Sequence, residues 1–182
     1  MKSDESAKKP SRKDFKQALS KLSRDALIKL VGDLYSVNRD NRNFLEARFS
    51  SSASLESYKK IIHNALYPDV MKTEAPISFV AARKAISDYK KATGDQGGVL
   101  ELMVYAVECG NAFTVEYGDI DERFYDNLES LFNKTVQFLK PLDQKIIDEY
   151  LPRMTAVVEA AKGIGWGYYD GISDALYGAF PE

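Results

Sequence analysis

The side chains that most often carry chemistry are scarce in this chain of 182 residues, which has one histidine, His63, and one cysteine, Cys109. Nucleophilic catalysis requires an activated cysteine or serine beside a base. Cys109 stands in an apolar helical stretch, where a free cysteine is typically a core residue. His63 is predicted to lie at the flank of an apolar stripe, solvated or hydrogen-bonded. The pair therefore predicts no nucleophilic site.

Two motifs resemble ligand sites but are better explained as helix ends. The acidic stretch 116–122 offers oxygen ligands, but it lacks the spacing of a calcium-binding loop. The glycine-rich segment 163–167 resembles a phosphate loop, yet such loops follow a strand, and this segment follows a predicted helix. Glycines there are expected to cap the helix and to let the backbone pass close to a neighbour. We predict no metal and no cofactor.

Positive charge is concentrated near the N-terminus. Residues 1–60 carry 14 Lys/Arg and 8 Asp/Glu, a net charge of +6, and residues 61–182 carry 11 and 19, a net charge of −8. Arg39, Arg42 and Arg48 lie on a helix that follows another after a short turn, an arrangement that a helix-turn-helix protein uses to bind nucleic acid. Acidic residues between them explain the same helix equally well as a solvated surface with intrahelical pairs.

Aromatic residues suggest a second surface. Tyrosine and phenylalanine contribute 11 and 9 residues, and several fall outside the apolar stripes. Trp166 lies within the glycine-rich segment, and Tyr168 and Tyr169 follow it. Tyr and Trp are enriched at protein interfaces. Together with Arg39, Arg42 and Arg48, they are the residues that we predict to bind a partner.

The elements that position these residues are all predicted to be helices. Apolar residues recur at spacings of three and four, and no segment alternates as a strand does. The pattern predicts an all-α fold of eight or nine antiparallel helices. These helices form either an irregular helical-hairpin array of the armadillo or HEAT type, which we prefer, or a multi-helix bundle. The run Val99–Val107 is apolar nearly all round, so it is predicted to lie at the centre of the core.

Local signals predict several helix boundaries. Ser11 with Asp14 and, further on, Ser23 are expected to cap the first two helices. Pro76 is placed in the first turn of the fifth helix, and residues 93–98 are placed in a loop. Pro152 is expected to kink or split the eighth helix, because its ring displaces the carbonyl four residues back.

Composition also predicts the domain organisation and the compartment. Residues 1–10 are expected to form a disordered basic tail, and residues 11–182 a single helical domain. No apolar run approaches the roughly 20 residues of a membrane span, and the N-terminus has no apolar stretch typical of a signal peptide. A single cysteine suits a reducing compartment. We expect a cytoplasmic protein that does not associate with membranes.

The chain resembles a set of small bacterial helical proteins catalogued only as a domain of unknown function. The residues that carry the resemblance are Leu22–Tyr35, the charged helix that ends in Leu45–Phe49, the block Val99–Phe132 and the stretch Gly163–Asp170. The similarity covers most of the chain after Ser11. It implies an all-helical fold without an assigned activity, and it brings no catalytic residues.

Three functions are compatible with these features. The leading hypothesis is a non-enzymatic helical interaction or scaffold module that binds a protein partner or a second copy of itself. The first alternative is a nucleic-acid-binding regulator that uses the basic N-terminal third. The second is an enzyme with a pair of carboxylates in a helical cleft.

Overall fold

A computed structural model describes residues 11–49, 51–72 and 76–181, and for residues 51–53 it describes the backbone alone. The predicted disordered tail, residues 1–10, lies outside the described residues. The described residues form nine helices and no strand, which confirms the all-α class. The helices are α1 (Arg12–Leu19), α2 (Arg24–Val37), α3 (Arg39–Phe49), α4 (Ser51–Leu66), α5 (Phe79–Thr93), α6 (Gln96–Tyr117), α7 (Glu122–Leu139), α8 (Gln144–Ala160) and α9 (Tyr168–Ala179).

The predicted caps of the first two helices are confirmed. The Ser11 hydroxyl accepts a hydrogen bond from the Asp14 backbone N–H at 3.2 Å, and the Asp14 carboxylate accepts one from the Ser11 backbone N–H at 2.9 Å. The Ser23 side chain accepts from the Ala26 backbone N–H in the same way. Each cap satisfies a backbone donor that has no partner within the helix.

Two predicted helix starts are wrong. Pro76 precedes α5, because the Ser78 side chain accepts from the Ala81 backbone N–H and acts as the N-cap. The predicted loop 93–98 is shorter than expected, since α6 already begins at Gln96. Gly94 alone provides the left-handed turn, with φ at +70°. The two glycines that follow belong to the first turn of α6.

Pro152 does not split α8, which is assigned as one helix from Gln144 to Ala160. A proline removes one backbone hydrogen bond, here to the carbonyl of Asp148 four residues earlier. Both Pro152 and Asp148 are exposed. Water can therefore bond the freed carbonyl, and the helix continues.

The chain groups into two compact units, Met1–Leu45 and Glu46–Glu182. One domain over residues 11–182 was expected, and that expectation stays a prediction. The first unit contains α1, α2 and the start of α3. No residue of α1 or α2 is buried, so these two helices contribute no core of their own.

The second unit is built around α6, which contacts α4, α5, α7 and α8, while α9 packs on α7 and α8. Twelve residues of α6 are buried, including most of the predicted central run Val99–Val107, and this prediction is confirmed. A Cβ atom on Gly110 would lie 2.6 Å from Cδ1 of Leu128, so glycine allows the close approach of α6 and α7. Packing around one central helix is typical of a multi-helix bundle. The repeat-like array and the antiparallel order stay predictions.

Helix α6 is also long and apolar enough to cross a membrane by length and composition, with a mean hydropathy of 1.2. In the structure, 72% of its most apolar 18-residue segment is buried inside the second unit. A core helix of a soluble protein has this property.

Candidate interaction surface

Helix α2 carries an exposed apolar stripe. It consists of Leu27, Ile28, Val31, Leu34 and Tyr35, whose spacings of three and four place them on one helical face. Leu27 is half-buried, and the other four side chains are exposed, Ile28 at 60%. We call these five residues the α2 stripe. An amphipathic helix normally buries such a face against a core.

Exposed apolar side chains are concentrated in this part of the chain. Sixteen large hydrophobic residues are exposed among the described residues, and nine of them lie within residues 11–49, less than a quarter of the chain. An apolar surface collected in one region marks an interaction site more strongly than scattered residues do. The nine are Phe15, Leu22, Ile28, Val31, Leu34, Tyr35, Val37, Phe44 and Phe49.

The three predicted arginines do not form one cationic set. The Nη1 atom of Arg48 donates a hydrogen bond to the backbone carbonyl of Ala92 at 2.9 Å, which satisfies one of the last carbonyls of α5. The guanidinium of Arg42 lies over the ring of Tyr35, 5.3 Å from its centre. Arg39 is exposed. Two of the three side chains therefore already have partners within the chain, one at a helix end and one on an aromatic ring.

The aromatic residues of the glycine-rich corner differ in exposure. Trp166 is 58% exposed and Tyr169 is half-buried. Tyr168 is fully buried, and its hydroxyl donates a hydrogen bond to Oδ1 of Asn111 at 3.1 Å. Burial raises the pKa of this hydroxyl above its ordinary value. The prediction that Tyr168 contacts a partner is wrong, because its side chain belongs to the core of the second unit.

The turn that carries Trp166 is left-handed at three positions. Gly163, Trp166 and Gly167 have φ values of +87°, +62° and +71°. Only glycine adopts this region without cost, and a bulky residue there is strained. Gly167 is the N-cap of α9. The C-cap of α8 is Ala161, in the right-handed region, so the prediction that a glycine caps the end of that helix is wrong.

A cluster of four charged side chains joins three helices of the second unit. Arg153 on α8 donates to two carboxylates of α6, with Nη1 at 2.6 Å from Glu101 and Nε at 2.7 Å from Glu108. Lys59 on α4 lies 2.8 Å from the other oxygen of Glu101. We call these four residues the interhelix ion cluster. Its members are far apart in the sequence, and no sequence pattern predicted that they are in contact.

The interhelix ion cluster keeps the Glu101 carboxylate ionised. Burial alone would raise the pKa of Glu101, but the hydrogen bonds from Arg153 and Lys59 outweigh it and hold the pKa below its ordinary value. A carboxyl group with a lowered pKa is a poor proton donor near neutral pH. The arrangement therefore suits the joining of α4, α6 and α8 better than acid–base chemistry.

Cys109 and His63 are brought together, with Sγ and Nδ1 3.9 Å apart. Cys109 is buried, which confirms its predicted place in the core, and burial raises the pKa of its thiol to about 11. The thiolate is the reactive form of cysteine, so this thiol is protonated and unreactive at neutral pH. No group of three or more His, Cys, Asp or Glu side chains in the described part of the chain is placed to hold a metal ion.

Fold and surface together define an all-helical protein with a packed second unit and an exposed apolar helix near its N-terminus. The chain belongs to a family of unknown function, DUF6155, which matches residues 10–175. This confirms the predicted resemblance to a family of unknown function. No curated protein and no solved structure is significantly similar to the chain.

Proposed function

We propose that this protein is a non-enzymatic helical interaction module that binds a protein partner through the α2 stripe. The observation that carries the proposal is the exposure of Ile28, Val31, Leu34 and Tyr35 on a helix that buries none of its residues. A cytoplasmic setting is part of the proposal, since the single cysteine is buried and unpaired.

Burial of the exposed apolar side chains would supply enough free energy to stabilise a complex. Full burial of such a side chain contributes about 1.5–3 kcal/mol, so covering a half-exposed one contributes roughly 1 kcal/mol. The eight exposed apolar residues of the first unit would contribute roughly 8 kcal/mol from this side of an interface. Association costs about 4–15 kcal/mol, which the two sides of an interface together can exceed.

A protein partner is favoured over nucleic acid by the placement of the charges. Two of the three arginines on α3 are engaged, Arg48 with a backbone carbonyl and Arg42 with an aromatic ring. Phosphate binding requires basic side chains that are available together. Ile28, Val31 and Leu34 on α2 are apolar and exposed, so a protein partner can cover them.

Affinity purification from the native host tests the proposal with three full-length proteins. The wild type should retain a partner that Ile28→Asp/Leu34→Asp loses. A matched control, Val80→Asp, changes a residue of α5 that is 77% exposed and should retain it. The retained protein is then purified and its binding reconstituted with the same variants.

Two results would count against the proposal. One is that no protein, including the chain itself, is retained in a manner that depends on the α2 stripe. The other is that the chain binds DNA or RNA in a gel shift at low salt, loses that binding in Arg39→Glu, and keeps it in Ile28→Asp/Leu34→Asp. The second result would favour the nucleic-acid alternative.

A further inference from the structure

We propose that the partner of the α2 stripe is a second copy of this chain, and that the two α2 helices pair antiparallel about Val31. This inference rests on the proposed function and identifies its partner. The symmetry of the stripe, the position of Arg24 and the exposed apolar area support this pairing.

The α2 stripe is symmetric about Val31 in spacing and in polarity. Ile28 and Leu34 stand three positions on either side, and Leu27 and Tyr35 stand four positions on either side. A two-fold interface presents the same patch from both subunits, so residue i meets residue j and residue j meets residue i. Antiparallel pairing about Val31 therefore places every member of the stripe against an apolar residue of the second copy.

Arg24 fixes the direction of the pairing. It precedes Val31 by seven positions and so lies on the same face as the stripe, at the start of α2. Parallel pairing would place the two Arg24 side chains together, with like charges in contact. Antiparallel pairing places each Arg24 at the C-terminal end of the other α2, which carries partial negative charge. The last turn of α2 contains no basic residue of its own.

The exposed apolar area matches what a stable dimer requires. One side of a standard interface buries about 800 Å², of which roughly 450 Å² is apolar. Eight half-exposed side chains at roughly 50 Å² each supply roughly 400 Å², close to that figure. The first unit supplies these eight, whereas the other eight are distributed over the much longer second unit.

The charge of α2 favours a protein partner over an anionic membrane surface. Between Arg24 and Val37 the helix carries two basic residues, Arg24 and Lys29, and two acidic residues, Asp25 and Asp33. Helices that bind anionic lipid are rich in Lys and Arg on their polar face. A neutral helix with an apolar stripe can approach its own copy without repulsion.

Sedimentation equilibrium of the full chain is the first test. The wild type should form a dimer, and Val31→Asp should raise the dimer dissociation constant by at least about tenfold, because a charge would be buried at the two-fold axis. Val80→Asp is the control for an added surface charge, and it should dimerise like the wild type. Circular dichroism of each variant checks that the helices are intact.

Cysteine cross-linking is the second test, and it measures the direction. Val31→Cys should form a disulfide-linked dimer, because position 31 meets itself. Leu27→Cys should cross-link poorly alone but well when mixed with Tyr35→Cys, because positions 27 and 35 meet. The native Cys109 does not interfere, since it is buried and its pKa is raised to about 11.

The outcomes separate this inference from the function on which it rests. If Leu27→Cys alone cross-links as fast as Val31→Cys, the pairing is parallel and the inference is overturned. If the wild type is monomeric at near-millimolar concentration but retains another protein or anionic phospholipid vesicles through the stripe, the second copy is the wrong partner. Retention of a protein would leave the proposed function standing, and retention by vesicles alone would overturn both. A monomer with no stripe-dependent partner also overturns both.

Discussion

Arg153 is the residue whose loss should test the architecture of the second unit most directly. It joins α8 to α6 through hydrogen bonds to Glu101 and Glu108. Its guanidinium carbon also lies over the ring of Tyr150, 5.4 Å from the ring centre. Arg153→Met keeps most of the volume of the side chain and removes all of these donors. Glu108 then loses its partner in the cluster, whereas Glu101 keeps Lys59.

The expected loss of stability follows from the exposure of these groups. Breaking a fully buried ion pair by removing one member costs about 3–5 kcal/mol, whereas an exposed pair contributes about 0–1 kcal/mol. The Arg153 side chain is 32% exposed and Glu101 is 16% exposed. Discounting for solvent screening, we expect Arg153→Met to lower the free energy of unfolding by about 2 kcal/mol.

Urea unfolding at pH 7, followed by circular dichroism, measures this loss. Lys72→Met is the matched control, since Lys72 forms an exposed ion pair with Asp69, three residues away in the sequence. This variant should leave the urea midpoint unchanged. The coupling is measured by repeating Arg153→Met in the Glu108→Gln background, where the loss should be clearly smaller. An Arg153→Met protein as stable as the control, or an equal loss in both backgrounds, would show that the interhelix ion cluster does not hold the helices together.

Three further predictions concern pH, packing and the left-handed turn. The pKa of Glu101 is lowered in the folded state from 4.5, so its contribution to the free energy of unfolding should be fully present above about pH 4.5 and lost as the pH falls through the folded pKa. Arg153→Met should flatten this acid dependence when urea titrations are repeated at several pH values. An unchanged slope would contradict the prediction. Gly110→Ala should lower the free energy of unfolding by about 1–3 kcal/mol through overpacking, because its Cβ would lie 2.6 Å from Leu128. The control Gly178→Ala has nothing within 4 Å of the added Cβ and should not destabilise the protein in the same assay. Equal losses would show that the side chain of Leu128 moves aside at little cost. Trp166→Asn should not lower the thermal midpoint, because asparagine tolerates the left-handed region and Trp166 is mostly exposed; a lower midpoint would mean that the indole contributes packing.

The helices were predictable where apolar residues recur at helical spacing. The central place of Val99–Val107 followed from its apolar character on all sides, and the caps at Ser11 and Ser23 followed from local hydrogen bonding. The starts of α5 and α6 were misplaced, because Ser78 competes with Pro76 as a start signal and Gly94 alone is enough for the turn. Local patterns determine that a helix exists more firmly than they determine its first residue.

The candidate surface was less predictable, for a different physical reason. The apolar spacing along α2 was visible in the sequence, but spacing does not tell whether such a face is covered. Conversely, Tyr168, Ile172 and Leu176 follow each other at intervals of four and form the buried face of α9, a signal that identifies Tyr168 as a core residue. The meeting of Arg153 with Glu101 and Glu108 depends on how α8 packs against α6, which no local pattern contains.

Trp166 also gives the chain an optical reporter at a known place. It is the only tryptophan among 182 residues, and it sits in the turn between α8 and α9 with 58% of its surface exposed. Its emission therefore describes the surroundings of that one turn, whereas circular dichroism averages over all the helices. Unfolding curves that coincide for the two signals would establish a single cooperative transition that includes this corner. Curves that separate would show that the corner opens at a different denaturant concentration from the helical core.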